Sequence, residues 1–250
     1  MNLSGAVVLL TGSSQGIGQA CAAALSDVGA RVVLHGRNPD VLGEVASGLG
    51  AKVVAADLRD DGAPEQLAAA ARDVYGRVDV VIHSAGVGWY GPCEDMNPTK
   101  IDELLEVNVR APLRLTRALL PDMVERGTGH VSFIASIAGL TGVARESVYS
   151  ATKAAVITFA DSLRLELHGT GVGVSVVSPG AVRTKFFEHR GAPYGRSLPR
   201  PISPERVAAE VLRSVQRGTG DAVVPRWLAL APKARAVAPG MFRVLNQRFG

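Results

Sequence analysis

The sequence has little cysteine, few aromatic residues and no long apolar run. Its two cysteines among 250 residues are Cys21 and Cys93. They lie far apart with no metal-ligand spacing around them, which argues against a disulfide scaffold and predicts no metal site. No apolar stretch approaches the roughly 18 residues that a membrane-spanning helix needs. The first apolar run, residues 6–10, is not preceded by a basic segment or followed by a cleavage site, as it would be in a signal peptide. We therefore expect a cytoplasmic protein.

An excess of either charge is also lacking over most of the chain. Lysine and arginine number 27 against 23 acidic residues, a formal net charge of +4. A difference this small predicts no nucleic-acid partner. The excess is local, because residues 222–250 contain no acid but carry five bases: Arg226, Lys233, Arg235, Arg243 and Arg248.

The same C-terminal stretch predicts a basic amphipathic extension over residues 226–250. Apolar residues recur at roughly helical spacing beside the arginines: Met241, Phe242, Leu245 and Phe249. Such an element can lie on an anionic membrane surface, cover a substrate pocket or pack on a second subunit. Because apolar helix faces usually bury within protein, we expect packing on or near the same domain rather than peripheral membrane contact.

A glycine-rich stretch, Thr-Gly-Ser-Ser-Gln-Gly-Ile-Gly at residues 11–18, joins the first apolar run to an alanine-rich segment. This pattern predicts a strand, a tight turn and a helix. Glycine permits positive φ and lets a pyrophosphate approach the amides at a helix N-terminus. The spacing is not G-x-G-x-x-G, and alone it suits an ordinary helix entry equally well. As a dinucleotide cradle, its contacts would come from Gly12, Ser13, Ser14, Gly16, Ile17 and Gly18.

Apolar runs and helical patterns alternate along the chain, which predicts an α/β fold. The predicted strands are residues 6–10, 31–35, 52–58, 78–83, 129–136, 172–177 and 221–224. We infer a single doubly wound, Rossmann-type parallel sheet of about seven strands with helices on both faces. Between about residues 184 and 202 the chain is irregular and rich in arginine and proline, which predicts a mobile substrate lid.

In such a sheet, ligands bind beyond the carboxyl ends of the strands. The second predicted strand is followed by Gly36-Arg37 rather than by an acid. An arginine there accommodates the 2′-phosphate of NADP, so NADP is favoured over NAD, although Arg37 also suits a solvated turn. Asp57, near the end of the third strand, can bind an adenine amine or cap a turn. The fourth strand is followed by small residues that allow close approach of a nucleotide: Ser84, Ala85 and Gly86.

Polar residues with catalytic potential occur later in the chain. Tyr149 and Lys153 are spaced i, i+4 and share a helix face, where a lysine cation can lower the phenol pKa. A tyrosine so tuned can exchange a proton with a carbonyl or alcohol oxygen, and Ser136 can hold that oxygen. Taken singly, the pair also suits a helix surface. Asn108 interrupts an apolar helical pattern before Pro112, which indicates a kink or a place in a proton relay.

In order and spacing, these motifs resemble the short-chain dehydrogenase/reductase family, in its common single-domain branch with a Tyr-x-x-x-Lys active site. The resemblance runs from about Leu3 to Val224. Each motif is weak alone, but the set is specific: Thr11-Gly-x-x-x-Gly16-x-Gly18, Asp57-Leu58, Ala85-Gly86, Asn108, Ser136, Tyr149-x-x-x-Lys153 and Pro179-Gly180.

The resemblance implies roles for the site residues. Tyr149 would be the proton donor or acceptor and Ser136 would polarise the substrate oxygen. Lys153 would bind the nicotinamide ribose and lower the pKa of Tyr149, and Asn108 would hold a water that links Lys153 to solvent. The nicotinamide side would be lined by Pro179, Gly180, Val182 and Thr184, and the adenine end by Asp57 and Leu58. The family's usual Asn-Ala-Gly appears here as Ser84-Ala85-Gly86, so Ser84 has a shorter reach.

The resemblance predicts an NADP-dependent oxidoreductase that interconverts a ketone or aldehyde and an alcohol. Residues 1–225 would form the nucleotide-binding catalytic domain, acting on a small-molecule substrate of hydrophobic character. A homodimer through the helical patterns at about 98–126 and 148–168 is expected, with a tetramer left open. The alternative function is a catalytically silent dinucleotide-binding sensor or interaction protein, which loss of Tyr149, Lys153 or Ser136 would favour; all three are present.

Overall fold

The computed structural model describes residues 1–196, 198–218 and 220–249, with residues 245–249 described by backbone alone. Within these residues seven strands form one sheet, and every neighbouring pair is parallel. The strands are β1 Val7–Thr11, β2 Arg31–Gly36, β3 Lys52–Ala55, β4 Val80–His83, β5 Gly129–Ile134, β6 Val172–Pro179 and β7 Asp221–Val224. Their order is β3-β2-β1-β4-β5-β6-β7, which confirms the predicted doubly wound sheet.

Helices connect the strands and extend past the last one. The α-helices are α1 Gly16–Asp27, α2 Pro39–Ser47, α3 Ala63–Tyr75, α4 Pro98–Leu105, α5 Ala111–Glu125, α6 Ile137–Thr141, α7 Ser147–Glu166, α8 Phe186–His189, α9 Pro204–Arg217, α10 Leu230–Val237 and α11 Pro239–Phe249. Short 3-10 turns occupy Cys93–Asp95 and Arg226–Ala229, and a π-helical turn occupies Glu106–Arg110. Among the described residues, no helix is long and apolar enough to cross a membrane.

Both faces of the sheet are buried, because successive side chains of each strand point to two separate cores. In β1, Val7 and Leu9 join the core that contains Phe133, whereas Val8 and Leu10 join the core that contains Ile82. Helices α3, α5 and α7 contribute to the first core, and α1, α2 and α9 to the second. A sheet that is apolar on both faces requires this double cover. The result is a rigid frame with its strand ends open at one edge.

Two predicted strands end earlier than expected because polar side chains turn the chain. The prediction extended the third strand to residue 58, but Asp57 Oδ1 accepts a hydrogen bond from the Arg59 amide at 3.0 Å, and β3 ends at Ala55. The fifth strand was predicted to reach residue 136, where Ser136 instead caps α6 by accepting from the Ala138 amide at 3.1 Å. In both places a side-chain acceptor satisfies backbone amides that would otherwise continue a ladder.

The helical pattern predicted over residues 98–126 is not one helix. The π-helical turn Glu106–Arg110 separates α4 from α5, and Asn108 lies in its middle. Asn108 Oδ1 accepts from the Val87 amide at 2.9 Å, and its Nδ2 donates to the Val87 carbonyl at 2.9 Å and to Thr152 Oγ1 at 3.1 Å. The predicted irregularity at Asn108 is therefore a π-bulge that joins this helix to the loop after β4 and to α7.

A buried set of hydrogen-bonded polar side chains joins β5 to β6. His130 Nε2 of β5 lies 2.9 Å from Ser175 Oγ of β6, and Ser175 donates to Ser132 Oγ at 3.1 Å. A side chain on Gly173 would approach His130 Nδ1 to 2.5 Å, so glycine is required beside the ring. Burial lowers the pKa of His130 to about 4. The ring is therefore neutral in the folded protein at neutral and mildly acidic pH.

Replacing His130 with glutamine should weaken the pH dependence of stability in mild acid. Between pH 6.5, the ordinary pKa, and about 4, the folded pKa, the unfolded chain binds a proton that the folded ring does not. The stability that neutral His130 confers is thus present above pH 6.5 and lost as the pH falls toward 4. One such group gives a slope of about 1.4 kcal/mol per pH unit. Urea unfolding of His130→Gln across this range should show a slope smaller by about that amount.

The matched control is His168→Gln, because His168 is exposed. That variant should keep the wild-type slope even if its absolute stability shifts. Equal slopes in His130→Gln and the wild-type protein would contradict the assignment of a buried neutral ring.

Candidate active site

A cavity of about 1290 Å³ lies at the carboxyl ends of the central strands. Strand order reverses between β1 and β4, so the connections from these strands leave toward opposite faces and open a crevice. The crevice runs from the glycine turn and the end of β2, past the ends of β4, β5 and β6, to the C-terminal helices. It therefore has room for a dinucleotide at one end and a substrate at the other.

The glycine turn is packed against the chain that follows β4. A side chain on Gly12 would approach the Ala85 Cα to 2.6 Å, and one on Gly18 would approach the Gly12 carbonyl oxygen to 2.1 Å. Gly12 and Gly16 also have positive φ, +66° and +60°. These positions need glycine for both space and conformation.

Helix α1 begins at this turn and points its first amides toward the cavity, which Gly16, Ile17 and Gly18 line. Its N-cap residue, Gln15, makes no side-chain capping bond within the described residues. Amides at an uncapped helix N-terminus are donors for an anion, and the helix dipole adds to their attraction. This geometry fits a pyrophosphate.

Ser13 differs from its neighbours in the turn. Ser13 is fully buried, and its amide and hydroxyl both donate to the His35 carbonyl oxygen at 3.0 Å. Among the residues that the structure describes, Ser13 is not one of those that line the cavity. The sequence prediction placed Ser13 with the cofactor ligands. The structure corrects this, because the hydroxyl is used to join the turn to β2. Ser14, the next residue, does line the cavity.

The end of β2 forms the wall where an adenosine would lie. Arg37, Asp57 and Leu58 all line the cavity there, as predicted from their positions after the strands. Asp57 is already engaged, since its carboxylate accepts from Arg59 Nε at 3.0 Å and from Arg59 Nη2 at 2.6 Å. Arg59 and, more weakly, Arg37 hold the pKa of Asp57 below its ordinary value. Asp57 therefore serves the local turn and leaves the wall without a free acid beside Arg37.

His35 is a cavity residue that the sequence analysis missed. Its Nε2 lies 3.1 Å from the Ala56 carbonyl oxygen, while its buried Nδ1 has no hydrogen-bond partner among the described residues. Burial lowers the pKa of His35 to about 4, so the ring is neutral and Nδ1 is an acceptor. This Nδ1 is a buried, unsatisfied acceptor close to the wall where an adenosine would lie. The available signal was a single polar residue within the apolar run of β2.

Ser136, Tyr149 and Lys153 converge on the same wall, next to the end of β5. Ser136 caps α6, and Tyr149 and Lys153 lie one turn apart near the start of α7. Lys153 Nζ lies 5.8 Å from the centre of the Tyr149 ring and donates to the Ile134 carbonyl oxygen at 3.1 Å. Asn108 lies behind the wall, where its amide fixes the backbone at Val87. Of the four predicted catalytic residues, three thus line the cavity and Asn108 supports them.

The electrostatics of the pair differ from the sequence prediction. Burial raises the pKa of Tyr149 to about 12, while the Ser136 hydroxyl acts in the opposite direction. Burial lowers the pKa of Lys153 to about 8. The sequence predicts that the lysine lowers the phenol pKa, but its ammonium group donates to the Ile134 carbonyl oxygen and burial dominates the pKa of Tyr149. At neutral pH Tyr149 is therefore a protonated acid.

The segment predicted as a lid lies over the substrate end of the cavity and is anchored there. It includes helix α8, whose Phe186 ring lies 5.4 Å from that of Tyr149. The buried guanidinium of Arg190 pairs with the buried Glu146 carboxylate and lies 4.7 Å from the Tyr90 ring and 4.6 Å from the Phe187 ring. This contact joins residues 184–202, apart from position 197, which lies outside the described residues, to the loop before α7.

The C-terminal helices close the far side of the cavity. The lining there comes from Leu228, Leu230, Ala231, Ala234 and Phe242. Arg235 Nη1 donates to the Leu140 carbonyl oxygen at 2.7 Å and so joins α10 to α6. Of the alternatives for residues 226–250, covering the pocket is the one this geometry shows; the side chains of Leu245, Arg248 and Phe249 lie outside the described residues.

The family model of the short chain dehydrogenases matches residues 6–194. The chain belongs to the short-chain dehydrogenase/reductase family. Dehydrogenase/reductase SDR family member 7B of Bos taurus is 35% identical over 256 residues, which cover 95% of this chain and 79% of that protein. Ketoacyl reductase HetN of a Nostoc strain is 37% identical over 227 residues, 89% of this chain and 79% of HetN.

Solved structures agree with this family. A short-chain dehydrogenase from Sphingobium yanoikuyae in complex with NADPH superposes with a TM-score of 0.83 at 29% identity, covering 94% of this chain and 95% of that one. A family member from Burkholderia phymatum in complex with NAD has a TM-score of 0.86 at 22% identity, covering 96% of each, and shows the shared fold. This short-chain dehydrogenase/reductase is thus an oxidoreductase that acts on CH–OH groups with NAD(P).

In this dehydrogenase the remaining predicted cofactor residues also line the cavity. They are Ser84, Ala85, Gly86, Pro179, Gly180, Val182 and Thr184. The departure at Ser84 leaves the backbone there well held, because Thr11 Oγ1 accepts from the Ser84 amide at 3.1 Å and from the Ala85 amide at 3.2 Å. The strand end is therefore fixed without the longer asparagine side chain.

Gly18→Ala should destabilise the protein, because its new methyl would lie against the backbone oxygen of Gly12, which cannot move aside as a side chain can. Overpacking of this kind costs about 1–3 kcal/mol. The control is Gly43→Ala, which lies within α2 with open space around its Cβ position and should stabilise by up to ~1 kcal/mol through helix propensity. Urea unfolding of both variants measures the contrast, and equal free energies of unfolding would refute the packing argument.

Proposed function

We propose that the chain is an NADP-dependent reductase of a hydrophobic ketone or aldehyde, and that the reverse oxidation of the alcohol uses the same residues. The observation that carries the proposal is the placement of Tyr149, Ser136 and Lys153 on one wall of a cavity whose other end carries Arg37, where the Asp57 carboxylate is already paired with Arg59. Related proteins support the reaction class, since one relative is named a ketoacyl reductase and one similar structure holds NADPH.

When bound, the nicotinamide supplies or accepts the hydride at the carbon of the substrate. Tyr149 donates its phenolic proton to the carbonyl oxygen as that oxygen becomes an alkoxide, and Ser136 holds the oxygen with a hydrogen bond. The pKa of Tyr149, about 12, keeps the proton in place at neutral pH, which suits the reductive direction. Lys153, with a pKa of about 8, is close enough to neutral pH to stabilise the transient phenolate and to exchange protons afterwards.

The substrate end supports a hydrophobic substrate. Its wall combines the aromatic rings of Phe186, Phe187 and Tyr194 with apolar side chains of the C-terminal helices. Lining cations, among them Arg145 and Arg196, lie toward the same end, so an acidic group on the substrate would be tolerated. A panel of ketones of increasing chain length, followed by NADPH absorbance, would rank candidate substrates directly.

Tyr149→Phe should remove turnover and leave cofactor binding nearly unchanged. The variant keeps the ring that packs near Phe186 but lacks the proton that the reaction needs. A general acid contributes about 10²–10⁴-fold to rate, so kcat should fall by at least a hundredfold while NADPH affinity changes by less than a few fold. Tyr75→Phe, at the end of α3 and outside the cavity wall, is the control. Wild-type kcat in Tyr149→Phe would show that another group supplies the proton.

Arg37→Ala should weaken NADPH binding and leave NADH binding almost unaltered. A charged hydrogen bond to the 2′-phosphate is worth about 1.5–3 kcal/mol, which corresponds to a loss of roughly 10–150-fold in affinity. Fluorescence titration with both cofactors measures this loss, and Arg217→Ala, at the end of α9, is the control for total charge. Tighter binding of NADH than NADPH by the wild-type protein would reject the NADP preference and leave the reductase assignment intact.

A further inference from the structure

The C-terminal segment concentrates exposed apolar side chains. Among the described residues ten large apolar side chains are exposed, and five of them fall between residues 227 and 244: Trp227, Leu230, Val237, Met241 and Val244. Val237 is 87% exposed and Met241 64%. Soluble surfaces rarely gather this many apolar groups without a partner. We call residues 226–244 the docking surface.

The docking surface is also basic. Arg226, Lys233, Arg235 and Arg243 are exposed, and the sequence has no acidic residue from Ala222 to the end of the chain. Apolar side chains that alternate with cations, without any counter-charge, match the chemistry of an anionic lipid surface. Trp227 adds an amphipathic ring of the kind that favours a membrane interface.

A second copy of this chain is a poorer match for the same surface. A symmetric dimer interface brings a surface against itself. Arg235 is held on the Leu140 carbonyl, so a dimer here would place Arg226, Lys233 and Arg243 opposite the same three cations, with no acid in the segment to pair with them. Like charges held at close range without counter-charges oppose association. An anionic lipid surface, by contrast, neutralises the cations while it buries the apolar groups.

The opposite side of the same helices lines the active-site cavity. Ala231, Ala234 and Phe242 lie on the cavity wall, and Arg235 anchors α10 to α6 through the Leu140 carbonyl. Leu230 is both exposed and part of the cavity lining, so the docking surface reaches the cavity. A group that enters from a lipid layer at this point would not have to cross water.

We propose that residues 226–244 dock this protein on an anionic lipid surface, with Trp227, Val237 and Met241 in the acyl–headgroup boundary and Arg226, Lys233 and Arg243 at the phosphate level. This places the cavity mouth at the lipid layer. Docking itself goes beyond the proposed function. The consequence that a lipophilic carbonyl compound enters the cavity from the lipid layer rests on the proposed function.

Vesicle co-sedimentation of the full-length protein tests the docking. Wild-type protein should sediment with vesicles of phosphatidylcholine containing phosphatidylglycerol and not with phosphatidylcholine alone. The double variant Val237→Glu/Met241→Glu should lower the partition constant at least tenfold, because it puts two acids into the apolar boundary. Leu165→Glu is the matched control, since Leu165 is 79% exposed on α7 and lies outside the docking surface. Both variants change solvated side chains, and equal thermal midpoints confirm that they fold.

A charge variant supplies an independent measurement. Lys233→Gln should weaken partition into anionic vesicles about fivefold, the equivalent of about 1 kcal/mol per cation at the surface, and added salt should reduce the difference. Lys52→Gln, at the exposed start of β3, should leave partition unchanged. Trp227 reports the contact directly, because its fluorescence should shift to the blue with anionic vesicles and the shift should be absent in Trp227→Phe.

The proposal is overturned if wild-type protein and the double variant sediment equally, if phosphatidylcholine alone binds as well as the mixture, or if the double variant abolishes self-association while neither protein binds vesicles. The last result would assign the surface to a second copy. Since sedimentation needs neither cofactor nor turnover, failure of docking leaves the reductase assignment untouched, and failure of the Tyr149→Phe test leaves docking untouched.

Discussion

The contact between the glycine turn and the chain after β4 is the constraint on which the rest of the site depends. Gly18 lies so close to the Gly12 carbonyl oxygen, and Gly12 so close to the Ala85 backbone, that any side chain would separate them. Thr11 then accepts from the amides of Ser84 and Ala85 and locks the two strand ends together. Backbone in contact with backbone at the point where strand order reverses makes a crevice with almost no side chains on its floor. A flat, charged cofactor can then reach the helix amides.

Burial at the cavity wall sets the protonation states of the two groups. Because burial disfavours both charged forms, the pKa of the Tyr149 phenol rises to about 12 and that of the Lys153 ammonium falls to about 8. The site thus holds a firmly protonated acid beside a cation that sits near its own titration point. Ser136 and Asn108 contribute position rather than charge. Ser136 places its hydroxyl at the N-terminus of α6, and Asn108 fixes the backbone at Val87.

Features that depend on the burial of apolar side chains could be predicted from the sequence, whereas features that depend on single polar hydrogen bonds could not. Apolar periodicity reports burial, so the seven strands and their alternation with helices were predictable, and the family resemblance added the parallel sheet with helices on both faces. Periodicity does not report hydrogen bonds made by single polar residues. Hence Asp57 and Ser136 end strands earlier than predicted, and the pattern around Asn108 predicts a kink or a place in a proton relay but not a π-bulge. Ser13 is predicted among the cofactor residues, although its hydroxyl joins the turn to β2. Motif spacing predicted that Tyr149 and Lys153 share a helix face, and both line the cavity, but only burial could show the direction of their pKa shifts.

The C-terminal helices follow from the same reasoning about faces. In an amphipathic helix the apolar face packs on the protein and the polar face is exposed to water. In α10 and α11 apolar side chains line the cavity on one side, yet Val237, Met241 and Val244 remain exposed on the other, with cations between them. The first face is covered by the protein, and the second is the one that the docking proposal assigns to a lipid surface. The sequence could show the composition of both faces, but only the position of Arg235 on Leu140 shows which face the protein already uses and therefore which one is left for a lipid surface.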